Sequence, residues 1–239
     1  MKINCFSVTF WFNILDNSSE LLEALQSEVK EYQKYEVYNI TNNLLSPIIS
    51  GVNNDLKTNI VLSQINLQYN MNNVSLDDVN MIKEKVLTLF NMLQNNNIKI
   101  LHTALFINSE MIQDNSLDKI DKLLNKKLKS SELLDVSVKL SKCYEEIFYK
   151  IITIFNKKQI KLPRVLDDNG REVPIPLISF NGSFVENELI DISYEINDKY
   201  LFDSTKNYST SDSYLNKMLY VLFDDYESDI DKLLEKGEF

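Results

Sequence analysis

Between residues 59 and 108 the hydrophobic period changes from two to about 3.6 and back again, which few folds accommodate. In NIVLSQINLQYNM, Val61, Ile65, Leu67, Tyr69 and Met71 alternate with Gln64, Asn66 and Gln68, which predicts one strand over 59–71 with a single buried face. The following run carries helix-start chemistry. Ser75 stands at an N-cap position, Asp77 and Asp78 fall in the first turn, and Val74 and Val79 are spaced as a hydrophobic staple. Val79, Ile82, Val86, Leu89, Phe90 and Leu93 then recur at helical spacing, the stripe of a helix lying on a sheet. After Asn95-Asn96-Asn97, IKILHTALFIN returns as a second strand. Such a unit needs more strands to lie against.

The flanking segments supply them. KINCFSVTFWFNIL puts Phe6, Val8, Phe10 and Phe12 on one face and Cys5, Ser7, Thr9 and Trp11 on the other, a strand apolar enough on both faces to be internal. An amphipathic helix is expected over 18–35, with Leu21, Leu22, Leu25 and Val29 as its stripe. Pro47, Gly51, Asn53, Asn54 and Asp55 then predict a hairpin leading into the 59–71 strand. A short helix over 115–130 (Leu117, Ile120, Leu123, Leu124, Leu128) marks a boundary between two similar-sized halves, 1–112 and 113–239, which can also form one continuous domain.

Leu134, Val136, Val138 and Leu140 alternate against polar residues in the next strand. The segment 145–156 reads as its pairing partner, although the same count fits a buried helix. Asp168-Asn169-Gly170 is the strongest hairpin signal in the chain, and Pro163, Pro174 and Pro176 confine that hairpin to a sheet edge or to a projection. A strand over 188–197 (Leu189, Ile192, Tyr194, Ile196) precedes a polar loop. Ser211 or Ser213 caps a final helix with Leu215, Met218, Leu219, Leu222, Tyr226, Ile230, Leu233 and Leu234 as its stripe and Gly237 at its end. The expected class is α+β: a mostly antiparallel sheet with helices packed on one side. No repeat of fixed period stands out, although each half runs from extended segments to a closing helix.

This order, with its NLQYN, LHTALFIN and LIDISYEIN strands, resembles a sporadically distributed family of uncharacterised bacterial proteins of similar length. The likeness covers most of the chain and rests on order and pattern. Where that family carries an Asn-Trp pair in the first of these strands, this chain has Tyr69-Asn70. The resemblance implies the fold and no activity.

Composition narrows the chemistry. With four Gly and four Pro, the chain has little material for glycine-built loops, and neither G-x-x-x-x-G-K-[ST] nor G-x-G-x-x-G occurs. Cys5 and Cys143 read as a reduced, unpaired pair, and no secretory signal or apolar run of about 20 residues is present, so a cytoplasmic protein is expected. Net charge is −10, and the basic stretches at 119–129 and 156–161 are short. That balance disfavours direct nucleic-acid binding and suits docking onto a basic partner, including a nucleic-acid-binding protein. His102 is the only histidine, so a zinc site of several imidazoles or thiolates is excluded and histidine-based catalysis has one candidate. A core or edge histidine is the blander account of it.

Carboxylates and aromatics remain. Asp224, Asp225, Glu227, Asp229 and Asp231 crowd the last helix, with Asp225/Asp229 and Glu227/Asp231 each one turn apart. Like charges so placed need an offset: solvent, a partner's basic side chains, or a divalent ion. Tyr200, Phe202, Tyr208 and Tyr214, expected to be exposed in a polar loop, resemble interface anchors or else a lid on the core. A further candidate pocket involves the loop 181–187 and Asp191. The functional expectation is a non-enzymatic protein without cofactor, metal ligands or catalytic residues. It would bind another macromolecule through Asp224, Asp225, Glu227, Asp229, Asp231, Tyr200, Phe202 and Tyr208, as an inhibitor, immunity or accessory protein. The alternatives are a nuclease-like enzyme using carboxylates and a divalent metal on phosphate esters, or a small-ligand sensor.

Overall fold

The computed structural model describes residues 2–12, 27, 36–39, 49–53, 58–63, 65–75, 78–112, 135–161, 165–166, 172–173 and 185–236. Its strands are β1 (Lys2–Phe12), β2 (Glu36–Asn39), β3 (Ile49–Asn53), β4 (Thr58–Leu62), β5 (Asn66–Asn72), β6 (Ile100–Ile112), β7 (Asp135–Tyr144), β8 (Phe148–Lys161), β9 (Val165–Leu166), β10 (Glu172–Val173) and β11 (Val185–Asn197). Its helices are α1 (Val79–Asn95), α2 (Lys199–Ser204), α3 (Asp212–Asp224) and α4 (Tyr226–Lys236). Nine strands form one sheet in the order β2-β3-β4-β5-β1-β6-β11-β8-β7, and every neighbouring pair is antiparallel. The α+β class holds. Among the described residues, no helix is long and apolar enough to cross a membrane.

β1 is the central strand, as its two-faced apolar pattern requires. Phe6, Val8, Phe10 and Phe12 are buried, in register with Leu67, Tyr69 and Met71 of β5 and with Leu105 and Ile107 of β6. On this face Phe10 meets Phe90 of α1 at 5.9 Å and Phe6 stacks on Phe223 of α3 at 5.8 Å, so the helices share one core with the strand. Five of the six α1 stripe residues are buried and Val79 is partly so, and all eight stripe residues of the last helical segment are buried. That segment is not one helix, however: it breaks at Asp225. At the start of α1 the cap shifts to Asp78, whose carboxylate accepts the Ser75 amide at 3.2 Å. Ser211 caps α3 by accepting the Tyr214 amide. The small helix α2 departs from the one-sided arrangement. Its Tyr200 and Phe202 rest against Tyr149 and His102, which alternate onto the other face of the sheet.

The strand expected over 59–71 is a hairpin of β4 and β5. Ser63 makes the turn: its amide donates to the Asn66 carbonyl at 2.8 Å, and its Oγ accepts the amides of Ile65 and Asn66. Ile60 and Leu62 are therefore buried in place of Val61, and Ile65 is 52% exposed. The segment 145–156 pairs with β7 through a turn with Glu145 and Glu146 at positive φ, so the strand reading stands over the helical one. β9 and β10 flank Asp168-Asn169-Gly170 as a separate two-stranded sheet. The helix expected over 18–35, apart from the helical Ser27, lies outside the described residues, as do the helix expected over 115–130, most of the loop 181–187, all four prolines and Gly237.

The chain runs the same course twice: a long strand, a meander whose last strand returns beside it, then helix. β1, β2–β5 and α1 do this first; β6, the strands β7, β8 and β11, and helices α3 and α4 repeat it. Because β1 and β6 are antiparallel neighbours, an approximate two-fold axis passes between them. It relates INLQYNMN at 65–72 to IDISYEIN at 190–197, each with a fully buried tyrosine (Tyr69, Tyr194) one strand out from the centre.

The hairpin makes a sharp distinction between two leucine-like neighbours. Ile65→Asp leaves the urea midpoint within about 0.5 kcal/mol of the parent, as a surface change does, whereas Leu67→Asp unfolds the protein or costs it about 4 kcal/mol. Equal losses at both positions would restore the single strand.

Candidate functional site

Lys150 occupies a core-facing position of β8 between Phe148 and Ile152 and is 2% exposed. An ammonium there costs several kcal/mol of lost hydration unless it is paired and fully hydrogen-bonded. Its Nζ donates to Oδ2 of Asp225 at 2.7 Å and to Oδ2 of Asp229 at 3.0 Å, and lies 4.5 Å from the centre of the Tyr144 ring. The Tyr194 hydroxyl donates to the same Asp229 oxygen at 2.8 Å. Burial, then the Asp229 carboxylate, push the Tyr194 phenol well above its ordinary pKa. Beside it, Tyr226 donates to Ser109 Oγ at 2.5 Å, and burial pushes its phenol up to about 12.

The cluster sits where α3 gives way to α4. The Asp225 carbonyl accepts the Asp229 amide at 2.7 Å, starting the new helix. One turn separates the two carboxylates, and both reach the same ammonium. The offset required by like charges at this spacing is thus Lys150 from within the chain. Among the described residues no cluster of three metal-ligating side chains occurs. Asp224, Glu227 and Asp231 point away into solvent. The five acidic positions therefore divide into two roles.

The aromatic loop divides as well. Tyr208 is buried, not exposed: its hydroxyl donates to Oδ2 of Asp198 at 2.7 Å. Burial and that carboxylate hold its phenol far above the usual range. Asp198 is fully buried and also accepts from Thr210 Oγ1 at 2.6 Å and from the Thr103 amide at 2.6 Å, which ties α2 and its loop to β6. Tyr200 is half-buried edge-on to Tyr149 at 5.7 Å, and Tyr214 is half-buried 6.1 Å from Tyr208. Phe202 alone stays exposed, at 37%, tilted on His102 at 5.3 Å. His102 in turn stacks on Trp11 at 4.3 Å, and burial holds its imidazole below the ordinary histidine pKa. Its Nδ1 is buried and has no hydrogen-bond partner among the described residues. The imidazole thus lies between Trp11 and Phe202 in one aromatic stack.

The acidic residues and the loop aromatics do not form one surface. Tyr208 precedes α3 and Asp224 ends it, which at 1.5 Å per residue sets them about 20 Å apart. Sequence reasoning passed over Lys150 and Asp198. The signal for Lys150 was a lone lysine at an apolar parity in FYKIITIF; Asp198 carried none beyond a place between strand and helix.

Lys150→Met should lower unfolding free energy by about 3 kcal/mol, the low end for stripping a buried pair of one partner, because the Asp225 side chain is 38% exposed. Adding Asp225→Asn and Asp229→Asn should recover most of that loss in urea unfolding; no recovery would mean that packing, not charge, was lost. Burial raises the Asp198 carboxyl above its ordinary pKa, against the Thr210, Thr103 and Tyr208 donors. Between the unfolded and the raised folded value the native state holds the extra proton, so stability falls as pH rises through that window. The advantage of the parent over Asp198→Asn should therefore shrink as pH climbs from the ordinary carboxylate range, read as urea midpoints at stepped pH. An advantage that grew with pH would contradict the raised pKa.

No known protein family matches this sequence, nor does any characterised protein, so a functional reading has to come from the geometry above.

Proposed function

We propose that this is a non-enzymatic cytoplasmic protein that acts by binding another macromolecule, in the inhibitor, immunity or accessory class of bacterial or phage conflict systems. The observation that carries this reading is the outer ridge of α3 and α4. Tyr220 is 59% exposed, the most open large apolar side chain among the described residues, and Asp224 follows one turn later. Glu227, Asp231 and Glu235 continue the ridge at one-turn spacing, all exposed, with Lys232 and Lys236 along its flank. An aromatic ring held in water beside uncommitted carboxylates has the composition of an interface anchor with a charged rim.

A chain of net charge −10 steers toward a basic surface, such as that of a nucleic-acid-binding protein, and is repelled by nucleic acid itself. In this reading the ridge carboxylates occupy a basic groove and Tyr220 fills a pocket beside it. Asp225 and Asp229 contribute indirectly, by anchoring α4 through Lys150. Tyr208 has no part at the interface because it is buried.

The test is affinity capture from the native host followed by titration of the purified partner. Asp224→Lys with Glu227→Lys and Asp231→Lys should weaken binding at least 100-fold and flatten its salt dependence, and Tyr220→Ala should weaken it about tenfold, as a hot-spot truncation does. Unchanged affinity in the triple reversal discards the ridge as the binding surface.

A further inference from the structure

A cleft of about 600 Å³ opens between the start of β6 and the loop after α2, lined by Lys99, Leu101, Phe202, Asp203, Lys206 and Tyr208 among others. Its size falls within the range of about 300–1,000 Å³ usual for small-molecule sites. The cleft shares no residue with the acidic ridge, so its role does not depend on the macromolecular reading.

Charge separates it from the rest of the surface. The lining carboxylate, Asp203, is taken by Lys199, with Nζ at 2.5 and 2.7 Å from its two oxygens. Asp198, behind Tyr208, is sealed by its own three donors. Lys99 reaches only the Asn207 carbonyl, at 3.2 Å, and neither Lys99 nor Lys206 meets a carboxylate among the described residues. Two uncompensated ammonium groups thus face one cavity in a chain of net charge −10. Anions repelled by most of the surface would find their favourable potential here.

The wall beside these cations is aromatic and rigidly backed. Phe202 is 37% exposed on its outer side and rests on His102, which stacks on Trp11. A ring so supported loses little freedom when a planar ligand stacks on it. The sequence carries neither glycine-rich phosphate motif, which leaves side chains to hold the charge. We propose that the cleft is a binding site for a mononucleotide, its base laid on Phe202 and its phosphate held between Lys99 and Lys206.

Calorimetric titration of the full chain at low salt with AMP, adenosine and inorganic phosphate tests this. AMP should bind one to one, with adenosine and phosphate each at least tenfold weaker. Lys206→Glu, a change at an exposed side chain, should weaken AMP at least tenfold. Phe202→Leu, checked for an unchanged urea midpoint, should bring AMP down to the affinity of phosphate. Trp11 is the only tryptophan and sits at the far end of the stack, so its emission should change saturably with AMP in the parent and not in Lys206→Glu. Absence of saturable binding at millimolar AMP, or AMP binding that Lys206→Glu leaves intact, overturns the proposal. Phosphate binding as tightly as AMP overturns the base contact.

Discussion

A buried ammonium that meets two carboxylates organises the C-terminal half of the molecule. Once Lys150 stands among Phe148, Ile152 and Ile154 on the core face of β8, the chain that covers it has to bring negative charge, and the covering chain is α4. Asp225 and Asp229 reach the ammonium while Tyr226, Ile230, Leu233 and Leu234 bury beside it. The arrangement is costly to disturb from either side, because removing the cation strands two carboxylates and removing the carboxylates strands a cation. What remains outside is the ridge from Tyr220 to Glu235.

Much of the fold was legible because burial imposes period. β1 read as internal since both its faces were apolar, the α3–α4 stripe emerged residue for residue, and the α1 stripe did so past Val79. The β4–β5 hairpin was not legible, for a reason of parity. Val61, Ile65, Leu67, Tyr69 and Met71 all fall on odd positions and imitate one face, yet in β4 the buried residues are Thr58, Ile60 and Leu62. Ser63 resets the alternation through side-chain hydrogen bonds, which a hydrophobic pattern does not register. The repeat was hidden likewise: only 65–72 and 190–197 retain it in sequence, while the central strands β1 and β6 share a register and little else.

The candidate site was less legible, since a cluster of like residues in sequence says nothing of where each one points. Five acidic residues were expected to serve one binding surface, and Lys150 holds Asp225 and Asp229 within the chain instead. Tyr208 looked like a loop tyrosine until Asp198 gave its hydroxyl a buried acceptor. Both surprises have the same origin: a polar side chain changes role when a partner removes it from water, Lys150 from a distant strand for Asp225 and Asp229, and Asp198, just before α2, for Tyr208.

The central position of β1 also governs how such a chain must assemble. Its two neighbours, β5 and β6, lie some 60 to 110 residues downstream, with Cys5 opposite Asn72 and Lys2 opposite Glu110. A ribosome therefore releases the middle of the sheet first and both of its flanks much later. Until then a ribbon carrying Phe6, Phe10 and Phe12 waits with two open edges, the arrangement most apt to pair with a stranger. Long loop closure makes the productive pairing slow, so the yield of soluble protein should be limited by the time β1 spends alone.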